Sequence, residues 1–369
     1  MRVAVVLPPR EGFGPGRAGA IGLLTRRLAD EDTLVVGGRQ AGPIFDDAAF
    51  VPAPPSLLGL SANARYAAGV LRLLRRNKPE LVEVYNRPDI ALALAVRLTG
   101  VPVVMCLQND PQGMHRIAPP AARGQLLARM AGAIVASEWL RHQLLQGVSE
   151  AAERIVHVLP NCLDLHEVPP PNGAARDKVI LFVGRVVADK GADAFVAACA
   201  RALPRLPGWR AEIIGADRMR ADSPETPFVQ ALRPAAAAAG VTLAGYRPHD
   251  AVLDAMSRAA IVAVPSRWEE PFGLTALEAM ACGAALVTSG RGALREVADD
   301  TAVYADPDDP EALAEAFVLL AEDPVRRAAL GAAGQHRARA FDAAEARLRL
   351  ADIRSDIAER WSRLASPPI

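Results

Sequence analysis

Residues 265–288 read PSRWEEPFGLTALEAMACGAALVT, Pro265 to Thr288, and this stretch decides the fold. The apolar run Ile261–Val264 before it has the length and composition of a buried strand. Pro265, Ser266 and Pro271 then force a loop. From about Phe272 the pattern turns helical, with Leu274, Leu277 and Ala281 on one face. Gly283 is placed to end that helix, and Ala284–Val287 is a second short apolar strand. Strand, loop, helix and strand in this order make a unit of an α/β fold.

The chemistry of the stretch lies in its carboxylates. Glu269 and Glu270 stand in the loop and Glu278 in the helix. The first N–H groups of a helix lack intrahelical partners and sit at the positive end of its dipole, so they bind anions. The backbone at Phe272, Gly273 and Leu274 is therefore a candidate phosphate cradle, and Gly273 permits close approach. Glu278 and Glu270 are placed to accept hydrogen bonds from sugar hydroxyls. Two carboxylates flanking a diphosphate cradle suit a nucleotide sugar. The competing reading is an ordinary strand–helix unit with solvated glutamates.

The whole string resembles the signature of the retaining GT-B glycosyltransferases of family 4. That signature is Pro-Ser, then two glutamates seven residues apart enclosing Pro-Phe-Gly, then Glu-Ala-Met-Ala-x-Gly, and Glu270 and Glu278 stand at its spacing. The resemblance implies two Rossmann-like α/β domains facing across a cleft. The C-terminal one binds the donor and the N-terminal one recognises the acceptor.

Composition agrees with a globular protein. The chain has 369 residues, enough for two domains. Formal net charge is zero, which argues against nucleic acid as a partner. No run of eighteen apolar residues occurs, so no spanning helix is expected. The opening MRVAVVLP reads as a strand rather than a secretory signal. Cys106, Cys162, Cys199 and Cys282 are scattered without metal spacing and read as buried thiols of a cytoplasmic protein.

In the N-terminal half, Val3–Leu7 is a strand, 8–19 a Gly/Pro-rich loop, and Ile21, Leu24 and Leu28 mark a helix running to Asp30, before a strand at Leu34–Val36. This is the opening of a nucleotide-binding domain. Gly14, Gly16 and Gly19 satisfy G-x-G-x-x-G, but six residues separate the pattern from the strand and Pro15 removes a donor. An NAD(P)-dependent oxidoreductase is thus the weaker alternative. By resemblance, Gly19 falls where the family turns backbone toward the donor phosphates, and Gly16 is a further candidate on the sugar side. Asn63–Lys78 is an amphipathic helix carrying Arg65, Arg72, Arg75, Arg76 and Lys78 with no acid among them. A solvated surface helix is one reading, peripheral contact with an anionic membrane the other. Asp89 is a candidate cap for a helix at Ile90–Leu98. The strand Val101–Leu107 ends in Gln108-Asn109-Asp110. Gln108 stands roughly where the family carries a histidine near the reacting sugar, Asn109 and Asp110 are candidates to contact sugar or acceptor, and His115 is a nearby substitute. Pro160-Asn161-Cys162-Leu163-Asp164 resembles the family's Pro-Asn-Gly-x-Asp element, with Cys162 replacing glycine.

The proline-rich stretch 168–177 reads as a linker between domains at 1–167 and 178–344, with a terminal helix from about 345 to 369 returning to the first domain. Val179–Val183 is a strand followed by Gly184-Arg185, then Asp189-Lys190-Gly191 and a helix from about Ala192. This resembles the family's Phe-Val-Gly-Arg and Lys-Gly elements, and Arg185 and Lys190 are the cations expected to meet the leaving diphosphate. Pro234–Gly240 reads as helical. Glu296 reads as a brace for the turn at 289–292. No metal and no cofactor are expected beyond the nucleotide-sugar co-substrate. The resemblance implies retaining transfer of a hexose from a UDP or GDP sugar to a glycan or lipid-linked acceptor, in lipopolysaccharide or exopolysaccharide synthesis. A nucleotide-sugar hydrolase or epimerase using the same cleft is the alternative.

Overall fold

The computed structural model describes residues 1–170, 176–217 and 224–365. Part of the expected linker and the last residues of the expected terminal helix lie outside the described residues. The chain forms two compact units, Met1–Cys162 with Ala343–Ile369, and Leu163–Asp342.

Unit 1 contains strands β1 (Val3–Val6), β2 (Thr33–Gly37), β3 (Ala49–Pro52), β4 (Leu81–Tyr85), β5 (Val103–Leu107), β6 (Gly132–Val135) and β7 (Val156–Val158). Its helices are α1 (Ala20–Leu28), α2 (Ala62–Asn77), α3 (Pro88–Ala95), α4 (Pro120–Leu127), α5 (Glu138–Leu145) and, from the end of the chain, α13 (Ala343–Ala365). Unit 2 contains β8 (Asp177–Val183), β9 (Arg210–Ile214), β10 (Val241–Gly245), β11 (Ala259–Val264), β12 (Ala285–Thr288) and β13 (Ala302–Tyr304). Between them run α6 (Ala192–Ala202), α7 (Pro227–Ala238), α8 (His249–Arg258), α9 (Leu274–Ala281), α10 (Leu294–Ala298), α11 (Pro310–Glu322) and α12 (Pro324–Ala338).

Among the described residues the strands make two sheets, in order β3-β2-β1-β4-β5-β6-β7 and β10-β9-β8-β11-β12-β13. Every pairing is parallel. Parallel sheets are covered by helices on both faces, so their inner strands are continuous apolar runs rather than alternating ones. VAVV in β1, VVMCL in β5 and AAIVAV in β11 are buried at every position. Each unit is therefore a Rossmann-like α/β domain.

Tertiary contacts moved several expected features. α7 begins at Pro227, seven residues before the expected start, because Thr226 caps it and Pro227 takes the first helical position. Asp89 does not cap α3. The helix starts at Pro88, and the Asp89 carboxylate instead accepts from Asn63 Nδ2 at 2.9 Å. The edge strands β3 and β13 are short and half-exposed, and they are not among the expected strands. All four cysteines are free and buried.

One buried contact fastens α13 within unit 1. Arg354 donates through Nε and Nη2 to the two oxygens of Glu83, at 2.7 and 3.0 Å, and both side chains are under 7% exposed. Burial alone would lower the Arg354 pKa, but the charge and hydrogen bonds of Glu83 outweigh it and hold the guanidinium charged. Among the described residues no helix is long and apolar enough to cross a membrane.

Candidate functional site

In unit 2 the strand order reverses between β8 and β11. Ligand sites of open α/β sheets form beyond the C-terminal strand ends at such a point. The loops leaving β8 and β11 carry the predicted residues, and glycines bring their backbones together. A Cβ on Gly215 would overlap the Gly184 carbonyl, and a Cβ on Gly191, at φ +74°, would overlap the Pro265 carbonyl. The turn holding Lys190 is thereby pressed against the loop after β11. The Asp189 carbonyl accepts from the N–H groups of Arg267 and Trp268, both at 2.9 Å. Lys190 Nζ consequently reaches Glu270 Oε1 at 2.5 Å.

The adjacent glutamates have separate tasks. Glu269 turns away and accepts from the Gly292 N–H. Glu270 points into the site, 7% exposed, and among the described residues its carboxylate has no second side-chain partner. The Glu270 backbone is held by Ala293 N–H at 2.8 Å. Gly292, at φ +62°, lies so close that a Cβ would strike the Glu270 backbone. Arg267 and Arg291 clamp the loop from outside. Arg267 binds Asp193 and Asp308, Arg291 binds Asp306 and Asp308, and the two guanidinium groups hold the Asp308 carboxyl below its ordinary range.

α9 starts at Leu274 rather than Phe272, since Gly273 adopts φ +103°, a left-handed conformation outside the helix. The Phe272 ring is buried against Phe341, 5.7 Å between centroids, so only its backbone is available to a ligand. Glu278, one turn along α9, is 9% exposed and its Oε1 lies 2.8 Å from His249 Nε2. Arg185 follows Gly184, is exposed, and makes no ion pair among the described residues. Lys190, Glu270, Gly273 and Glu278 thus belong to the loops and helix at one end of this sheet. A separate cleft of about 300 Å³, lined by Ser289, Arg295, Tyr304 and Asp306, includes none of the predicted residues.

The unit 1 candidates cluster less. The Gln108 N–H donates to Asn86 Oδ1 at 2.8 Å, which joins the ends of β4 and β5. Asp110 caps the short turn Pro111–Gly113, accepting from Gln112 N–H at 2.9 Å. Asn109 and His115 are exposed to solvent. Gly16, at φ +67°, faces open space. Gly19 directly precedes α1, but the anion position there is filled. Glu11 Oε1 accepts from the Gly22 N–H at 2.9 Å and lies only 2.8 Å from the position a Cβ on Gly19 would take. Burial pushes the Glu11 carboxyl above its ordinary range, against the pull of the Gly22 and Gly19 N–H groups and Arg87. As the loop stands, the helix terminus expected to face donor phosphate is capped by the chain's own carboxylate.

Sequence reasoning missed His249, Glu11, Asn86 and the Arg267/Arg291 clamp. His249 lies 29 residues from Glu278, and no spacing rule links them. Glu11 is eleven residues from its partner Gly22, and the glycine-rich pattern drew attention past it.

The chain resembles known proteins over both units. The model for glycosyl transferases group 1 matches residues 167–337, and the glycosyl transferase 4-like domain matches residues 20–162. A D-inositol 3-phosphate glycosyltransferase of Segniliparus rotundus is 31% identical over 66% of this chain and 56% of its own length. The lipopolysaccharide core biosynthesis mannosyltransferase LpsB of Rhizobium meliloti is 33% identical over 43% and 46%. The alpha-maltose-1-phosphate synthase of Mycolicibacterium smegmatis is 28% identical over 91% and 94%. Against the first two, the chain spans about half of the relative's length. Among solved structures, Anabaena Alr3699/HepE in complex with UDP superposes with a TM-score of 0.76 at 19% identity, covering 96% of this chain and 100% of that one. Its complex with UDP-glucose gives 0.76 at 20% identity, covering 96% and 99%. Two parallel-sheet domains and a family match to each of them place the chain among the GT-B glycosyltransferases of group 1, family 4.

Proposed function

We propose that the chain transfers a hexose from a nucleoside-diphosphate sugar to a hydroxyl of a glycan or lipid-linked acceptor, with retention at the anomeric carbon. The observation that carries this reading is the paired set at the end of the unit 2 sheet, Lys190 with Glu270 and His249 with Glu278. Each pair leaves one carboxylate oxygen without a partner among the described residues, and a polyhydroxylated ligand supplies the missing donors.

In this reading Glu278 accepts from the ribose hydroxyls and Glu270 from the hexose. Lys190 has three N–H donors and gives one to Glu270. The others, with Arg185 and the backbone N–H groups at Phe272–Leu274, meet the negative charge that develops on the leaving diphosphate. No divalent metal is needed for that task. Glu270, tied to a cation, serves as a hydroxyl acceptor rather than a nucleophile. The acceptor attacks from the face that the leaving group vacates, and a phosphate oxygen takes its proton. Asn109, Asp110, Gln108 and His115 belong to the acceptor side, with Gly16, while Gly19 belongs to the donor phosphates. Glu11 must yield its place if the terminus of α1 is to meet phosphate.

UDP is the favoured nucleotide, because the HepE structures hold UDP and UDP-glucose, with GDP second. A lipopolysaccharide or exopolysaccharide acceptor in the cytoplasm, at the inner membrane face, accords with the relative LpsB. The deciding experiment is a thermal-shift panel of UDP, GDP, ADP and dTDP sugars with EDTA present. A ligand that binds only the folded state raises Tm by mass action. A rise with one nucleotide, followed by NMR of the anomeric product, supports the reading. No rise with any of them removes its basis. Hydrolysis of the sugar nucleotide at the same rate with or without acceptors would favour the hydrolase alternative.

A further inference from the structure

The cleft of about 300 Å³ in unit 2 is lined by Ser289, Arg291, Arg295, Tyr304, Asp306 and Pro307. Ser289 follows β12 and Asp306 and Pro307 follow β13, so the cleft lies beyond the C-terminal ends of these two strands. It is built around an oriented arginine. The Arg295 guanidinium stacks on the Tyr304 ring, 4.1 Å from its centroid. The Tyr304 hydroxyl donates to the Asp299 carbonyl, which holds the ring. Gly290, at φ +71°, lets the turn lie against this stack. A Cβ there would stand 2.8 Å from Tyr304 Cδ1 and 3.1 Å from Arg295 Nε.

The polar groups of the cleft are unequally engaged. Arg291 binds Asp306 and Asp308 and donates to the Arg267 carbonyl at 3.2 Å. The Arg295 guanidinium makes no hydrogen bond and no ion pair among the described residues. Its N–H donors and its charge are open to a ligand. Ser289 Oγ accepts from the Arg291 N–H at 3.3 Å, and its own proton has no acceptor among the described residues. Asp306 uses Oδ1 for Arg291 and for the Asp308 N–H, and its Oδ2 has no partner among the described residues. The space is at the lower end of small-molecule sites. A planar guanidinium takes an anionic group through paired N–H donors. The hydroxyl of Ser289 and Oδ2 of Asp306 complement hydroxyl groups. An ammonium group finds no uncompensated carboxylate here, since Arg291 already neutralises Asp306.

We propose that this cleft binds an anionic monosaccharide, a sugar phosphate or a uronate, and that its occupation steadies the loop carrying Glu270. The connection is the turn at 289–292. Ser289 and Arg291 line the cleft. In the same turn the Gly292 N–H holds the Glu269 carboxylate, and the Ala293 N–H that follows holds the Glu270 carbonyl at 2.8 Å. Arg291 grips the loop directly through the Arg267 carbonyl. The cleft takes no residue from the donor cradle, so it adds regulation to the transfer reaction.

Calorimetry on the full chain, without nucleotide or acceptor, compares glucose 1-phosphate, glucose 6-phosphate, glucuronate, glucose, inorganic phosphate and free glutamate. At least one of the first three is expected to bind, about tenfold or more tighter than the other probes. Arg295→Gln weakens that binding by about tenfold to a hundredfold, and Arg295→Lys weakens it less. Arg295 is exposed, so both variants keep the parental Tm. Lys190→Ala leaves the binding unchanged, which separates this cleft from the diphosphate cradle. With the probe bound, amide hydrogen exchange slows across 266–273 as well as across 289–296. The proposal is overturned if none of the three probes binds, if Arg295→Gln binds like the parent, or if free glutamate or phosphate binds as tightly. Binding that is lost in Lys190→Ala overturns it too, because the probe then occupies the cradle. Exchange that slows only across 289–296 overturns the link to Glu270. No donor is present in these measurements, so a failed nucleotide-sugar panel is a separate result.

Discussion

Two glutamates of unit 1 and two of unit 2 make a comparison, because their partners differ. In unit 1, Glu83 spends both oxygens on Arg354, and Glu11 sits on the first N–H groups of α1. In unit 2, Glu270 is held by Lys190 and Glu278 by His249, each through Oε1. Glu83, with both oxygens on a buried guanidinium, and Glu11, on backbone N–H groups, hold the fold together. Glu270 and Glu278, each oriented by one side chain and with an oxygen to spare, are poised for a ligand. The same contrast separates two helix N-termini. α9 opens with Gly273 and no capping side chain, whereas α1 also follows a glycine but is capped by Glu11 from the preceding loop.

The sharpest way to break this comparison is at Glu83. Glu83→Ala leaves Arg354 charged and buried and is expected to cost about 3–5 kcal/mol in denaturant unfolding. Replacing both partners by leucine should recover most of that loss. A small effect of the single substitution would mean that Glu83 is no more committed than the unit 2 carboxylates. Next, Glu270→Ala should lower turnover on the order of a thousandfold while leaving Tm near the parent value. If release of the nucleotide continues within about tenfold of the parent, Glu270 is merely a bracket for Lys190.

Glu278→Ala should weaken nucleotide binding in calorimetry by about tenfold to a hundredfold, the worth of hydrogen bonds to a charged group. His249→Ala should weaken it by about fivefold, with kcat changed less than KM and partial rescue by His249→Gln. An unchanged KM in the alanine variant would show that His249 does not orient Glu278.

The smallest effect is at Glu11. A carboxyl whose folded pKa is raised binds more protons folded than unfolded, so its contribution is greatest below the unfolded pKa and falls as pH rises through the folded one. Glu11→Gln should therefore gain Tm relative to the parent as pH rises from the acid range to neutrality. A pH-independent Tm difference would show that burial does not strain this carboxylate.

The sequence by itself determined the α/β class, the strand–loop–helix–strand unit at 261–288, and the placing of Glu270 and Glu278 on it. Buried parallel strands must be short apolar runs between turns, and a helix begins where glycine and proline release the chain. The start of α6 at Ala192 was legible for the same reason. Local periodicity carries no information about partners distant in the chain. Only the tertiary structure paired His249 with Glu278 and Arg354 with Glu83, the latter 271 residues apart. It also parted Glu269 from Glu270, which no residue type or spacing distinguishes. Gly292 admits the Glu270 backbone at a distance that no side chain would allow, and its N–H takes the Glu269 carboxylate. Finally, Glu11 closed the helix terminus that the glycine pattern had left open, because a buried N–H takes the nearest acceptor, and the fold rather than the motif decides which acceptor that is.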